Sequence, residues 1–206
     1  EARDIILSTV QTVDTATLSL ERSLGYILAE EIFAGENIPP FDNSAMDGFA
    51  VRSQEIQRVP HILPIAGEIA AGSPVPARLG QGEAMRIMTG AKIPTGCDAV
   101  VQQEWTVLPD ERHVTIMKSV NSGHNIRLAG ADIRKNESEF KKHQRLRPQE
   151  IGVLASLGKR FVEVYRQVTV AILSTGNEIV DINVPLPDGK IRNSNAYTLS
   201  ALVKET

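Results

Sequence analysis

Apolar residues recur along this chain in two rhythms, and each rhythm marks a different kind of element. Residues 4–12 carry Ile6, Leu7 and Val10 on one stripe behind Asp4, which predicts a short helix capped by that aspartate. Ala16 to Leu20 reads as a strand, and Glu21 to Glu31 spaces Leu24, Ile27 and Leu28 as a helix would. Short β segments follow, with candidates at His61–Ile65, Ala84–Met88, Ala99–Gln103 and Val114–Met117. Turns at Gly67, Gly72-Ser73-Pro74, Gly80-Gln81-Gly82, Pro94-Thr95-Gly96 and Pro109-Asp110 separate them. Pro148 then opens a helix over Gln149–Leu157 that Gly158 ends in the usual C′ position. Residues 168–173 form a near-continuous apolar run, as in a strand buried on both faces of a parallel sheet. Asn193-Ser194-Asn195 caps a last helix with Leu199, Leu202 and Val203 on one face.

These elements imply a multidomain, mostly β, α+β chain. A first domain is expected from two sequence-distant pieces, 1–37 and 135–166, with an all-β module inserted at 38–134. Residues 167–206 then supply one strand–loop–helix piece of an α/β layer. One strand and one helix do not cover both faces of a parallel sheet, so the expectation is a fragment of a longer protein, inactive alone.

Composition narrows the function classes. Of 206 residues, 42% are hydrophobic and only 4% aromatic, so the core must be aliphatic. A net charge of −3 gives no global reason to expect nucleic acid. A lone Cys97 excludes an intrachain disulfide and a zinc cluster, and fits a reducing, cytoplasmic setting. No apolar run reaches the roughly 18 residues that span a bilayer, and no signal peptide is visible. His61, His113, His124 and His143 lack metal-ligand spacing.

Candidate chemistry concentrates where polar residues interrupt the apolar pattern. The stretch Pro39-Pro40-Phe41-Asp42-Asn43-Ser44-Ala45-Met46-Asp47-Gly48 runs into the strand-like Phe49-Ala50-Val51. Asp42, Asn43 and Ser44 are types that bond back to nearby backbone, Gly48 frees the chain, and Asp47 falls at a stiff loop–strand junction. An ordinary Asx-rich turn reads the same way. Thr89-Gly90 ends a strand, so the hydroxyl and the following N–H line a pocket or merely close a turn. Arg127 and Asp132 are an anion donor beside a carboxylate, or a structural ion pair. Ser174-Thr175-Gly176, at the end of the apolar run, offers hydroxyls and open backbone to an anion, with Glu178 able to hold a cation; a ligand-free strand–turn–helix is the alternative. The basic run Lys141–Arg147 is a phosphate patch or a solvated hairpin tip.

Four stretches taken together carry a resemblance. They are Asp42-Asn43-Ser44-Ala45-Met46-Asp47-Gly48-Phe49-Ala50-Val51-Arg52, Arg86-Ile87-Met88-Thr89-Gly90-Ala91, Gly123-His124-Asn125-Ile126-Arg127 and Ser174-Thr175-Gly176-Asn177-Glu178. In this order they resemble the molybdopterin molybdenumtransferase family (MoeA-type proteins and the gephyrin E domain), over nearly the whole chain. The resemblance implies that residues 167–206 begin a three-layer α/β (MoaB/Mog-like) domain. It implies an enzyme of molybdenum cofactor biosynthesis that passes molybdenum from molybdate into adenylated molybdopterin and releases AMP. Asp47, Thr89, Asp132 and Glu178 are the implied catalytic residues, and Arg127, Ser174, Thr175, Gly176 and Asn195 the implied substrate-binding ones. Mg²⁺ is the implied ion, needing carboxylates such as Asp47 and Glu178, with its ligands not fixed. A homodimer with a shared cleft is implied too, with other cofactor-biosynthesis proteins as further candidate partners, and no nucleic acid or membrane. Two departures touch the anion site: Leu128-Ala129 stands where relatives often carry arginines, and Arg192-Asn193-Ser194-Asn195 where they often have Tyr-Asp-Thr-Asn. A non-catalytic dimerising scaffold or ligand-binding module is the alternative.

Overall fold

The computed structural model describes residues 2–73 and 78–205. In chain order the elements begin with α1 (Ala2–Thr9), β1 (Thr15–Ser19), β2 (Ile32–Phe33), β3 (Asn43–Ser44), β4 (Gly48–Val51) and β5 (His61–Ile69). They continue with β6 (Ala84–Ile87), β7 (Ala99–Gln102), β8 (Thr106–Val107), β9 (His113–Ile116), β10 (Ile126–Arg127) and β11 (Ser138–Phe140). Then come α2 (Pro148–Ser156), β12 (Phe161–Tyr165), β13 (Ile179–Val180), β14 (Ile191–Arg192) and α3 (Ser194–Glu205). The class is α+β, dominated by sheet. Two compact units divide the chain, residues 17–164 and residues 1–16 with 165–206.

The larger unit is built on a six-stranded sheet in the order β7-β4-β6-β5-β9-β8. β4 lies between two antiparallel partners, Phe49 facing Val101 on one side and Arg86 on the other. Both of its faces are covered, which is why Gly48-Phe49-Ala50-Val51 has no polar position. Phe49 and Val51 go into one core with Ile56, Leu63, Val101, Val114 and Ile116. Ala50 goes into a second with Ile69, Leu79, Met85, Ile87 and Val100. A third core joins Leu28 and Ile32 to Phe140, Leu146, Leu154, Val162 and Val164. The strands expected between residues 16 and 117 all form, each ending within a residue of its expected bounds except β5, which runs on to Ile69.

α2 follows its capping chemistry closely. Glu150 accepts from the Arg147 amide at 2.9 Å, and the Gly158 and Lys159 amides close the far end onto Ala155 and Leu154. With Gly158 at φ +71 this is a Schellman stop. The basic run before it is a turn stitched to the third core: Leu146 is fully buried, and the His143 amide donates to Leu28.

Three expectations fail. The helix expected over Glu21–Glu31 is only a single 3₁₀ turn, Leu20–Arg22. Gly25 sits at φ +84, and the backbone of Leu28 is already committed to Gln144 and His143, so helical bonding is lost. α1 begins before Asp4, which therefore lies in its first turn rather than at its cap. Residues 168–173 are not a buried strand. They lack regular structure and, half-buried Ile172 apart, are exposed, Leu173 to 87%, because no described segment offers them a ladder partner. The leucine face of α3 is likewise exposed. The turn expected at Gly72-Ser73-Pro74 reaches Pro74, which is outside the described residues.

Candidate functional site

Ser44 is the hub of the loop that carries Asp47. Its amide donates to Ala91, its carbonyl accepts from Gly90, and β3 pairs Ser44 with Ile126 of β10. Its hydroxyl turns the chain by donating to the Met46 carbonyl at 2.6 Å. Asp42, by contrast, does not bond locally; its carboxylate accepts from the Ala129 amide at 2.7 Å. The loop is therefore clamped from both sides before it reaches the aspartate.

Asp47 and Thr89, 42 positions apart, meet directly. The Asp47 Oδ1 accepts from both the amide and the hydroxyl of Thr89, each at 2.7 Å. These two donors, the amide first, hold the Asp47 carboxyl below the ordinary aspartate range. Oδ2 takes no part in the pair, so an exposed, ionised carboxylate is presented with one oxygen fixed and the other available. The Gly90 amide is not available to a ligand as expected, since it is spent on the Ser44 carbonyl at 2.8 Å.

Gly48 has a different role from the one its turn-like context suggests. A Cβ there would meet the Val101 carbonyl oxygen at 2.0 Å, so the glycine permits a close strand approach rather than an unusual backbone angle. Arg127 and Asp132 form an exposed ion pair, with Nη2 donating to both carboxylate oxygens. Arg127 is tied to the same loop, since β10 pairs it with Asn43. Thus four predicted residues, Asp47, Thr89, Arg127 and Asp132, all hang from the 42–48 segment.

The remaining predicted residues belong to the smaller unit. Ser174 and Thr175 are exposed and outside any element. Gly176, at φ +147, lies against the Glu178 carboxylate: a Cβ would come within 2.5 Å of Oε1. β13 and β14 run parallel, Ile179 beside Ile191, and α3 follows β14 directly. Asn193 caps that helix, its Oδ1 accepting from the Ala196 amide at 3.2 Å. Asn195 is exposed in the first turn of α3. The strand end expected at residues 173–176 does not form, whereas the helix expected after Asn193 does, with the parallel strand β14 leading into it. Among the described residues, no group of three His, Cys, Asp or Glu side chains could hold a metal.

Residues 1–158 match the family model for the MoeA N-terminal region (domain I and II). The chain belongs to this family. A molybdopterin molybdenumtransferase from Haemophilus influenzae is 39% identical over 191 residues, covering 93% of this chain and 47% of the relative. One from Staphylococcus aureus strain MRSA252 is 41% identical over 211 residues, covering 100% of this chain and 50% of the relative. The chain thus spans about half the length of the curated relatives it matches. The crystal structure of a molybdopterin biosynthesis MoeA protein from Pyrococcus horikoshii OT3 superposes with a TM-score of 0.88 at 31% identity, over 98% of this chain and 55% of that one. A second structure of a Pyrococcus MoeA protein gives 0.78 at 33% identity.

The segment 42–52 is the frame on which the predicted residues of the larger unit come together. Sequence reasoning missed Lys92, which an antiparallel bridge places beside Asn43, and the long reach of Asp42 to Ala129. Only strand register carries that information, and spacing along the chain does not.

Proposed function

We infer that the protein of which this chain is the sequence serves molybdenum insertion, passing molybdenum from molybdate into adenylated molybdopterin with release of AMP. The observation that carries the reading is the Asp47–Thr89 pair, an ionised carboxylate locked at the position of the family motif. Adenylated molybdopterin and molybdate are anions, so a bare carboxylate facing them needs a cation. Mg²⁺ is held by one or two carboxylates and by substrate phosphates rather than by an all-protein cage. Asp47, with Oδ2 outside the Thr89 pair, fits that pattern, and Glu178 is the second acidic group proposed. The ion when bound would offset phosphate charge. Arg127 binds substrate anion while Asp132 fixes its guanidinium. Ser174, Thr175, Gly176 and Asn195 are proposed to hold the phosphorylated pterin.

The reading extends to a homodimer in the cytoplasm in which Asp47 and Thr89 of one copy and Glu178 of the other share a cleft. It also takes residues 1–37 with 135–166, 38–134 and 167–206 as three domain segments, the last opening a three-layer α/β domain. The test uses the protein at the full length of its gene, incubated with adenylated molybdopterin, Mg²⁺ and molybdate. Wild type should release AMP in proportion to molybdate inserted, and Asp47→Asn should lose most turnover while melting as wild type does. Subunits exchanged between inactive Asp47→Ala and Glu178→Ala proteins should regain roughly a quarter of wild-type activity, since about half the dimers are mixed and each has one intact cleft. No AMP release from wild type would overturn the transferase reading, and no recovery after confirmed exchange would overturn the shared cleft.

A further inference from the structure

Beyond the residues the family motif supplies, the register around Asn43 assembles a row of two cations. Lys92 is bridged to Asn43 in an antiparallel sense. The Ser44 amide donates to Ala91 at 2.9 Å and the Ile93 amide to Asp42 at 3.0 Å, so the Asn43–Lys92 pair is the non-hydrogen-bonded kind. Such pairs bring Cα atoms to about 4.5 Å and their side chains closest together. On its other side Asn43 pairs with Arg127. Residues directly opposite across strands project to the same face, so Lys92, Asn43 and Arg127 share one face. The alternate positions, Ser44, Ala91 and Ile126, turn the other way, where Ala91 and Ile126 join the second core.

The two cations differ in what already neutralises them. Arg127 is compensated by Asp132, whose two oxygens both accept from it. Lys92 forms no ion pair with a described carboxylate; its ammonium lies 5.8 Å from the centre of the Phe41 ring. An aromatic face steadies a cation without cancelling its charge. The uncompensated positive charge of this face is therefore that of Lys92. It also stands one strand away from Leu128-Ala129, where the expected arginines are missing.

We propose that Lys92, positioned across Asn43 from Arg127 and held over Phe41, is a phosphate-binding residue for the substrate. This rests on the transferase reading for the identity of the substrate, while the anion site itself rests on the register and the charges. The test uses the protein at the full length of its gene, with pyrophosphate as probe in titration calorimetry. Lys92→Gln should weaken pyrophosphate at least about tenfold, as expected for losing one charge-assisted contact, with the melting temperature unchanged. Lys92→Arg should recover most of the affinity. Binding within twofold of wild type in Lys92→Gln, or no binding of pyrophosphate by wild type, would overturn the proposal. So would weakened binding that comes with a lower melting temperature and no recovery in Lys92→Arg. AMP release is measured in parallel. A wild type that releases AMP beside an unaffected Lys92→Gln defeats only the Lys92 proposal. Lys92-dependent pyrophosphate binding without AMP release defeats only the transferase reading.

Discussion

Replacing Gly48 by alanine adds a single methyl group at a point where β4 and β7 leave no room for it. That methyl would lie 2.0 Å from the Val101 carbonyl oxygen and 2.9 Å from the Gln102 Cα. Both are backbone atoms of a paired strand, so no side chain can rotate away. Ordinary contact begins near 3.4 Å, so β4 would have to withdraw by about 1.4 Å. A shift of that size takes the bond from the Gln103 amide to the Asp47 carbonyl, now 3.0 Å, out of hydrogen-bonding range. Overpacking of this kind costs about 1–3 kcal/mol, and each ladder bond lost adds about 1 kcal/mol. The expected loss is thus about 2–4 kcal/mol, or a fall in melting temperature of at least about 4 °C for a chain of this length. Trp105, the single tryptophan, packs on the first core two residues beyond Gln103 and reports the transition by fluorescence in urea. Gly67→Ala is the control: a Cβ there meets nothing within 4 Å, so its midpoint should stay within about 1 kcal/mol of wild type or rise slightly. A Gly48→Ala protein losing less than about 1 kcal/mol at unchanged denaturant slope would refute the close-approach argument.

Two further predictions draw on titration. Burial pushes the Cys97 thiol up to about 12, so in the folded protein it should resist iodoacetamide at pH 8 and react only on unfolding; rapid labelling of native protein would contradict this. Glu150 is held below its ordinary value of 4.5, chiefly by the Arg147 guanidinium, so its folded value lies under its unfolded one. Its contribution is therefore fully present above about pH 4.5 and is lost as pH falls through the folded value. The stability gap between wild type and Glu150→Gln should narrow on acidification below pH 4.5, and a gap constant from pH 7 to pH 3 would disprove the coupling.

What the sequence reveals depends on whether a residue's partner is near it in the chain. Five strands of the six-stranded sheet, all but the two-residue β8, are legible because alternation and turn residues are local signals, and α2 is legible because Pro148, Glu150 and Gly158 all act within one or two turns. Residues 21–31 mislead because helical spacing of Leu24, Ile27 and Leu28 says nothing of Gly25 at positive φ or of the ladder that claims Leu28. Residues 168–173 mislead because an apolar run specifies a wish to be covered and does not supply the neighbouring strand. Asp47, Thr89 and Arg127 are found through the family motif, yet the bond that joins the first two spans 42 residues and follows from the fold alone. The charge of the face beside them is further from the sequence still, since it depends on which strand Lys92 is bridged to.

Asp47 and Gly48 are neighbours with opposite obligations, and this bears on why the site is placed there. Gly48 is buried in a strand whose partners leave no room for a Cβ, so the fold depends on it. Asp47, one residue earlier, is exposed and outside all three cores, and among the described residues its carboxylate bonds to Thr89 alone. A carboxylate next to a rigid strand gains fixed geometry without having to be desolvated, which would raise its pKa and favour the neutral form. The two Thr89 donors then lower that pKa further, keeping the group charged. Rigidity comes from β4 and charge from exposure, so the two requirements of the ion-holding role proposed for Asp47 are met by adjacent residues rather than by one. Substitutions at Gly48 should therefore cost stability first, and those at Asp47 should cost anion or metal chemistry while leaving the sheet intact.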